Sequence, residues 1–368
     1  MEQFLNGSKG YEINDFTGSN NLTRSYAAKL VERYGKDSLA YLTLEQDKEY
    51  FFASNTEGFI AYKVIDNIAI CMGNPIYEEG TLDILYKEFM DFLKKKRYKV
   101  CFCSISKEIS MFLNQYGLSI SKYGEEALID LSTYELKGSS TSKLRQKLRR
   151  ADKSGISVIE YNPKSCKDYE LEEKINLISE KWISNKNGKM GFSLGDLNFD
   201  EPLGRRYFVA VDEMENLHTI LMFSPFEQGE GYFLDVMRRN FDAVPGVMEK
   251  SIIDAIMKMK DEGVKVVSLG LAALAGIEVN EGNCTTLEKG MNYMYKNFNK
   301  DYDFKKLHDY KKKFAPSLWN SRYIAHEASL SPIKVAYVMI KARKGEGVWW
   351  TLLKGLWETR KILSVKFK

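Results

Sequence analysis

Between Gly231 and Gly263 the chain switches its hydrophobic period once, and that switch constrains the fold more than any other feature. Tyr232, Leu234 and Val236 alternate with Phe233, Asp235 and Met237, which predicts a strand with an acid in the middle of an otherwise apolar run. The pattern breaks at Arg238-Arg239-Asn240, turns through Pro245-Gly246 and resumes as a helix to Asp261. Met248, Ile252, Ala255, Ile256 and Met259 then mark one helical face. A strand end, a glycine turn and a helix start together make an anion site, because the first-turn N–H groups point outward. Asp235 and Arg238 are expected at its mouth, with Gly246 in the turn. This is the candidate active site.

The same order recurs along the chain. An earlier hairpin is predicted from Gly58–Val64 and Ile68–Met72 across Ile65-Asp66-Asn67, after a helix from Leu22 to Tyr34. A helix from Thr81 to Arg97, a strand at Lys99–Ser104, a helix at Lys107–Tyr116 and a strand at Glu126–Leu131 follow. In the second half, Arg206–Asp212 and His218–Pro225 pair, then come Tyr232–Met237, the helix and a strand at Val264–Gly270. In both halves a helix exits straight into a β-branched strand. The expectation is a duplicated α/β unit rather than one large sheet. A length of 368 residues independently favours two domains.

Several function classes are set aside by composition. The five cysteines include no C-x-x-C pair, and Cys101 and Cys103 share one strand face as core residues. Three scattered histidines offer no metal-ligand spacing, so no metal is expected. No apolar run is long enough to cross a bilayer, and no signal peptide opens the chain, which points to the cytoplasm.

Two segments are strongly basic. Over 142–153, Leu144, Leu148 and Ala151 form an apolar stripe, while Lys143, Arg145, Lys147, Arg149, Arg150 and Lys153 face Asp152 as the one acid. Such a helix reads either as a solvated linker or as a surface that tracks nucleic-acid phosphates. The tail, 331–368, sets nine bases against Glu346 and Glu358, with Trp349, Trp350, Leu353, Leu356 and Trp357 interspersed. It reads either as an ordinary packed helix or as a basic amphipathic segment at an anionic headgroup surface.

These residues resemble the C-terminal catalytic domain of the phosphatidylglycerol lysyltransferase and alanyltransferase family, the multiple peptide resistance factor group. The resemblance rests on the order of Ser38-Leu39-Ala40-Tyr41-Leu42, Phe59-Ile60-Ala61-Tyr62, Gly188–Gly195, Arg205–Val211, Leu234–Arg238, Asp242–Met248, Leu269–Ala272, Tyr310–Pro316, Trp319 and Arg322-Tyr323. It implies an α/β fold of two tandem GNAT-like acyltransferase domains joined by the basic helix. The expected segments are 1–138, the linker 139–155, the catalytic unit 156–330 and the tail 331–368. It further implies an aminoacyl-tRNA as donor, lysine or alanine as the group moved, a phosphatidylglycerol-like hydroxyl as acceptor, and no cofactor. The family usually places a membrane-spanning flippase domain ahead of this region, whereas here Met1 stands almost directly before it. The tail is therefore expected to hold the protein, peripherally, at the inner face of the membrane.

Ester exchange needs a base for the hydroxyl and a stabiliser for the tetrahedral oxyanion. Asp235 is the candidate base or the group that holds the donor's ammonium, and Arg238 would hold a phosphate or the oxyanion. By resemblance, Lys313 grips the lipid phosphate with Lys311 beside it. Arg205, Arg206 and Phe192 are further substrate-binding candidates, and Lys143, Arg145, Lys147, Arg149 and Arg150 are the tRNA-binding ones. An acyl-CoA-dependent N-acetyltransferase is the alternative, but Arg238–Ala243 lacks the glycines of a pyrophosphate loop. A non-catalytic RNA- or membrane-binding module is the third reading.

Overall fold

The computed structural model describes residues 21–185, 195–278, 284–297 and 304–344. Helix α1 (Asn21–Tyr34) and a 3-10 turn (Ala40–Leu44) precede β1 (Glu49–Phe52), β2 (Gly58–Ile65), β3 (Ile68–Met72) and β4 (Ile76–Tyr77). Then come α2 (Leu82–Lys96), β5 (Lys99–Ile105), α3 (Lys107–Gln115) and β6 (Ser119–Asp130). The basic helix α4 (Ser142–Lys153) leads into β7 (Ser157–Tyr161), α5 (Tyr169–Asn185), β8 (Arg206–Val211) and β9 (Leu217–Phe226). The chain continues with β10 (Gly231–Arg239), α6 (Val247–Asp261), β11 (Val266–Ala273), α7 (Thr286–Asn297), α8 (Phe304–Lys312), β12 (Leu318–His326) and α9 (Pro332–Lys344).

The repeat read from the sequence is present in the connections. In the first half β2 and β3 are antiparallel, and α2 returns the chain to β5, parallel to β3. In the second half β9 and β10 are antiparallel, and α6 returns it to β11, parallel to β10. Asp66 and Asn67 both take positive φ, 48° and 60°, as a two-residue hairpin turn requires.

The expectation of separate sheets is corrected. One 12-stranded sheet runs β1-β2-β3-β5-β12-β6-β11-β10-β9-β8-β7, with β4 on β2. It is continuous because the halves exchange their closing strands: β6 pairs with β11, and β12 lies between β5 and β6. The hydrophobic pattern reports which residues are buried but not which neighbour buries them, so it could not show the exchange.

Both faces of the sheet are covered. In the first half, Leu85, Phe89 and Leu93 of α2 pack on Ile60, Tyr62 and Phe102. On the other face Val335 and Val338 of α9 pack on Ile70, Cys101 and Cys103. Residues 332–344 of the basic tail are therefore a packed helix, while residues 345–368 lie outside the described residues. In the second half, Ile252, Ile256 and Met259 of α6 pack on Phe208, Leu221 and Leu234, and Leu144 of α4 joins them. The basic helix is thus docked along its apolar stripe and is not a free linker. Ile175 and Ile178 of α5 cover the opposite face against Met222 and Val236. No described helix is long and apolar enough to cross a membrane.

Candidate active site

Strand β10 departs from the period-two reading in two ways. It does not break at Arg238, because Arg238 and Arg239 still pair with Ile220 and Thr219. It also carries a bulge: Leu234 faces Phe223, Val236 faces Met222, and Asp235 is the extra residue. The extra residue reverses the alternation, so Leu234 and Met237 face α6 whereas Val236 packs against α5. Asp235 and Arg238 consequently lie on the face away from α6. They are not at the mouth of its N-terminus, and that expectation is corrected.

Asp235 is 6% exposed and sits in a closed ring of polar contacts. Its Oδ1 accepts from the Gly195 N–H at 2.8 Å and its Oδ2 from the Ser224 hydroxyl at 3.0 Å. Arg205 Nε donates to Ser224 Oγ at 3.3 Å, and Arg205 Nη2 to Glu45 Oε1 at 2.7 Å. Glu45 Oε2 accepts from the Asp196 N–H at 3.2 Å, which closes the ring. Gly195 is required by close approach, since a Cβ there would overlap the Asp235 carboxylate. Burial pushes the Asp235 carboxyl above its usual range, against the pull of Arg205. Burial likewise raises Glu45 to about 7, outweighing the Arg205 guanidinium beside it. Arg238 donates to Ser179 of α5 and lies 5.8 Å from the Trp182 ring centroid. Burial lowers its pKa.

Beside this ring the two parallel strands part. β10 and β11 are in register only from Gly231–Phe233 to Val266–Ser268, though both continue beyond. Lys311 enters on the β11 side, buried, its Nζ donating to the Leu271 carbonyl at 2.9 Å. Burial pulls its pKa down to about 7, offset in part by Glu126. A buried acid on β10 and a buried amine against β11 thus belong to the two strands whose pairing ends here, and burial shifts both towards their neutral forms.

Lys313, unlike Lys311, belongs to a second cluster on the α6 side. It lies 3.9 Å from Glu249 and 4.9 Å from the Tyr310 ring centroid, while Lys147 of α4 is paired with the same carboxylate. Burial and the nearby Lys147 hold Lys313 below the usual lysine range. Gly246 caps α6 at φ 93°, and a Cβ there would come within 2.5 Å of the Lys147 carbonyl, which fixes how closely α4 approaches.

The remaining predicted residues are dispersed. Arg206 is held in a bidentate pair with Glu160 and also bonds Glu262. Arg145 is bonded to the carbonyls of Leu136 and Gly138. Lys143, Arg149, Arg150 and Lys153 stay exposed on α4. Phe192 lies outside the described residues. A cavity of about 280 Å3, lined by Arg24, Lys164, Asp200, Glu201 and Leu203, contains none of the predicted residues.

The fold alone gathers Glu45, Ser224 and Gly195 around Asp235, Glu45 through Arg205 and Asp196. Sequence reasoning missed Glu45 and Ser224, and it included Gly195 only as the end of the Gly188–Gly195 stretch. It also missed the buried pair of Glu126 and Arg322, supported by Asp37, Ser38 and Ser268. The signal available was the polarity of Glu126 and Arg322 within strand-like stretches.

The family model for phosphatidylglycerol lysyltransferase, C-terminal, matches residues 28–326. The chain belongs to this family. It is 25% identical over 307 residues to a phosphatidylglycerol lysyltransferase of Staphylococcus epidermidis, covering 82% of this chain and 35% of that protein. It is 28% identical over 312 residues to one of Bacillus subtilis, covering 83% and 35%. The chain thus spans about a third of the length of these curated relatives. Among solved structures, L-PGS from Bacillus licheniformis superimposes with a TM-score of 0.76 at 24% identity, covering 87% of this chain and 97% of that one. This is a likeness of mixed α/β fold.

Proposed function

We propose that this chain transfers an aminoacyl group, lysine or alanine, from aminoacyl-tRNA to a glycerol hydroxyl of phosphatidylglycerol or a related lipid. The observation that carries the reading is the bulge in β10 where its pairing with β11 ends, which buries Asp235 among Gly195, Ser224 and Arg205 and sets Arg238 on the same face. Family membership supports a phospholipid acceptor for an amino acid, and the aminoacyl-tRNA donor belongs to the proposal. In the reaction the lipid hydroxyl oxygen attacks the ester carbonyl, the bond to the ribose oxygen breaks, and the hydroxyl proton ends on that ribose oxygen. One ester replaces another, so the site need only move a proton, steady the oxyanion and exclude water.

In this reading Asp235 takes the hydroxyl proton or holds the donor's ammonium, and Arg238 steadies developing negative charge. Lys311 lends or accepts a proton near neutrality, and Lys313 meets the lipid phosphate. Lys143, Arg149, Arg150 and Lys153 form an exposed basic stripe for the tRNA backbone. Arg145 and Lys147, committed to contacts within the fold, shape that helix more than they bind. The repeated hairpin–helix–strand unit supports two tandem acyltransferase folds, and the proposed lipid acceptor would place them peripherally at the inner membrane face. Incubation with anionic lipid vesicles and tRNA charged with labelled amino acids, followed by lipid extraction, tests the reading. Label in the lipid fraction is expected, and its absence with every charged tRNA would reject it.

A further inference from the structure

Glu45 lies at the end of the 3-10 turn in the first half of the chain, 160 positions before the arginine it pairs with. Its two oxygens are used differently: one accepts from Arg205 and the other from the backbone of Asp196. Arg205 and Ser224 relay the first contact to Asp235, and the neighbouring Gly195 N–H relays the second. Consecutive backbone amides, at 195 and 196, are thus held by carboxylates from opposite halves of the chain. We propose that Glu45 is a positioning residue of the transfer site, supplied by the first half to fix the orientation and charge of Asp235. The proposal rests on the transfer reading given above, and it makes the site bipartite. The second half carries the acid and its direct partners Gly195 and Ser224. The first half supplies the carboxylate that holds Arg205 and the Asp196 amide behind them.

The charge environment supports this role. The titratable or charged groups facing Glu45 are Arg205, Asp196, Asp235, Lys48, Tyr50 and Tyr207. With burial holding Glu45 near 7, its ionisation falls in the range where the transfer would run. Ionised Glu45 neutralises Arg205 and leaves Asp235 reluctant to ionise; protonated Glu45 releases Arg205 to Asp235.

The test compares wild type with Glu45→Gln, Glu45→Asp and Asp235→Asn, reading both transfer kinetics and the titration of Asp235 by carbon NMR on aspartate-labelled protein. Glu45→Gln keeps the shape and removes the charge. It is expected to unfold cooperatively like wild type, to lower kcat about 100-fold with KM for lipid unchanged, and to flatten the pH dependence near 7. Glu45→Asp should recover much of the rate. The Asp235 midpoint should fall by about one unit in Glu45→Gln, whether or not transfer is detected. An unmoved Asp235 midpoint, or a loss of rate with an unchanged pH profile, would overturn the proposal. If Asp235→Asn transfers as well as wild type, the site reading itself fails, and the NMR midpoint still decides the coupling.

Discussion

Asp235 and Arg238 share one face of β10 although an odd number of positions separates them. A regular strand would send them to opposite faces, and the extra residue at the bulge brings them together. The bulge lies where β10 leaves β11, so one local insertion both opens the sheet and turns two charged side chains towards the same side. Replacing Asp235 by Asn should therefore lower transfer at least about 100-fold, while tRNA and liposome binding stay within about twofold of wild type. Filter binding and vesicle flotation, run beside the transfer assay, check this.

Glu45 and Lys311, both shifted to about 7, make opposite contributions to stability as pH changes. Glu45, raised to about 7, stays protonated in the folded chain after it has ionised in the unfolded one, so stability is lost as pH rises from about 4.5 to 7. Lys311, lowered to about 7, is neutral when folded and charged when unfolded between about 7 and 10.5, so stability is regained as pH rises through that range. Glu45→Gln should flatten the acid-side slope and Lys311→Met the alkaline-side slope. Urea midpoints between pH 5 and 9.5 would show it.

Gly246 has neither the conformation nor the space for a side chain. Gly246→Ala should cost about 2 kcal/mol, from the strained φ and the overlap with the Lys147 carbonyl. Denaturant unfolding reads the cost. Weakened tRNA binding should accompany it, because α4 is displaced from α6.

Arg322 is the partner of a glutamate that is 1% exposed. Arg322→Met should destabilise by about 3–5 kcal/mol, since Glu126 would be left charged and buried. Adding Glu126→Gln should recover part of that loss, measurable as a double-mutant cycle.

The exposed bases of α4 predict a salt effect. Arg149→Gln with Arg150→Gln should reduce the slope of log affinity for tRNA against log salt by about 1–2, as expected for losing two phosphate contacts. Fluorescence anisotropy across a salt series checks it, and an unchanged slope would move tRNA off this helix.

Local features of the fold were legible in the residues. Alternation located β2, β3, β9 and β10, and the apolar stripe of α6 named Ile252, Ala255, Ile256 and Met259, which are buried, though Met248 is half-buried and the buried Val247 and Ile253 were not in it. The bulge at Asp235 was not legible, because Leu234-Asp235-Val236 satisfies period two as well as it satisfies an insertion. The strand exchange was not legible either, since β12 and β6 carry ordinary strand patterns and only their neighbours differ. At the site, Asp235 stood out as an acid in an apolar strand and Arg238 at that strand's expected break, whereas Lys311, inside the charge run Lys311–Lys313, was named only through the family resemblance. Glu45 and Ser224 were not legible, because a residue 160 positions from its partner leaves no trace in local spacing.

The position of β12 between β5 and β6 sets an order of assembly. A ribosome-bound chain that has made only the first 300 or so residues holds β5 and β6 with nothing between them, and Glu126 without its guanidinium. That half stays incomplete until Leu318–His326 emerges and threads into the vacancy, so the early part of the polypeptide must wait for the late part. Severing the chain between the halves would leave each fragment with a strand meant for the other, and the two pieces should recover a native sheet only by finding one another.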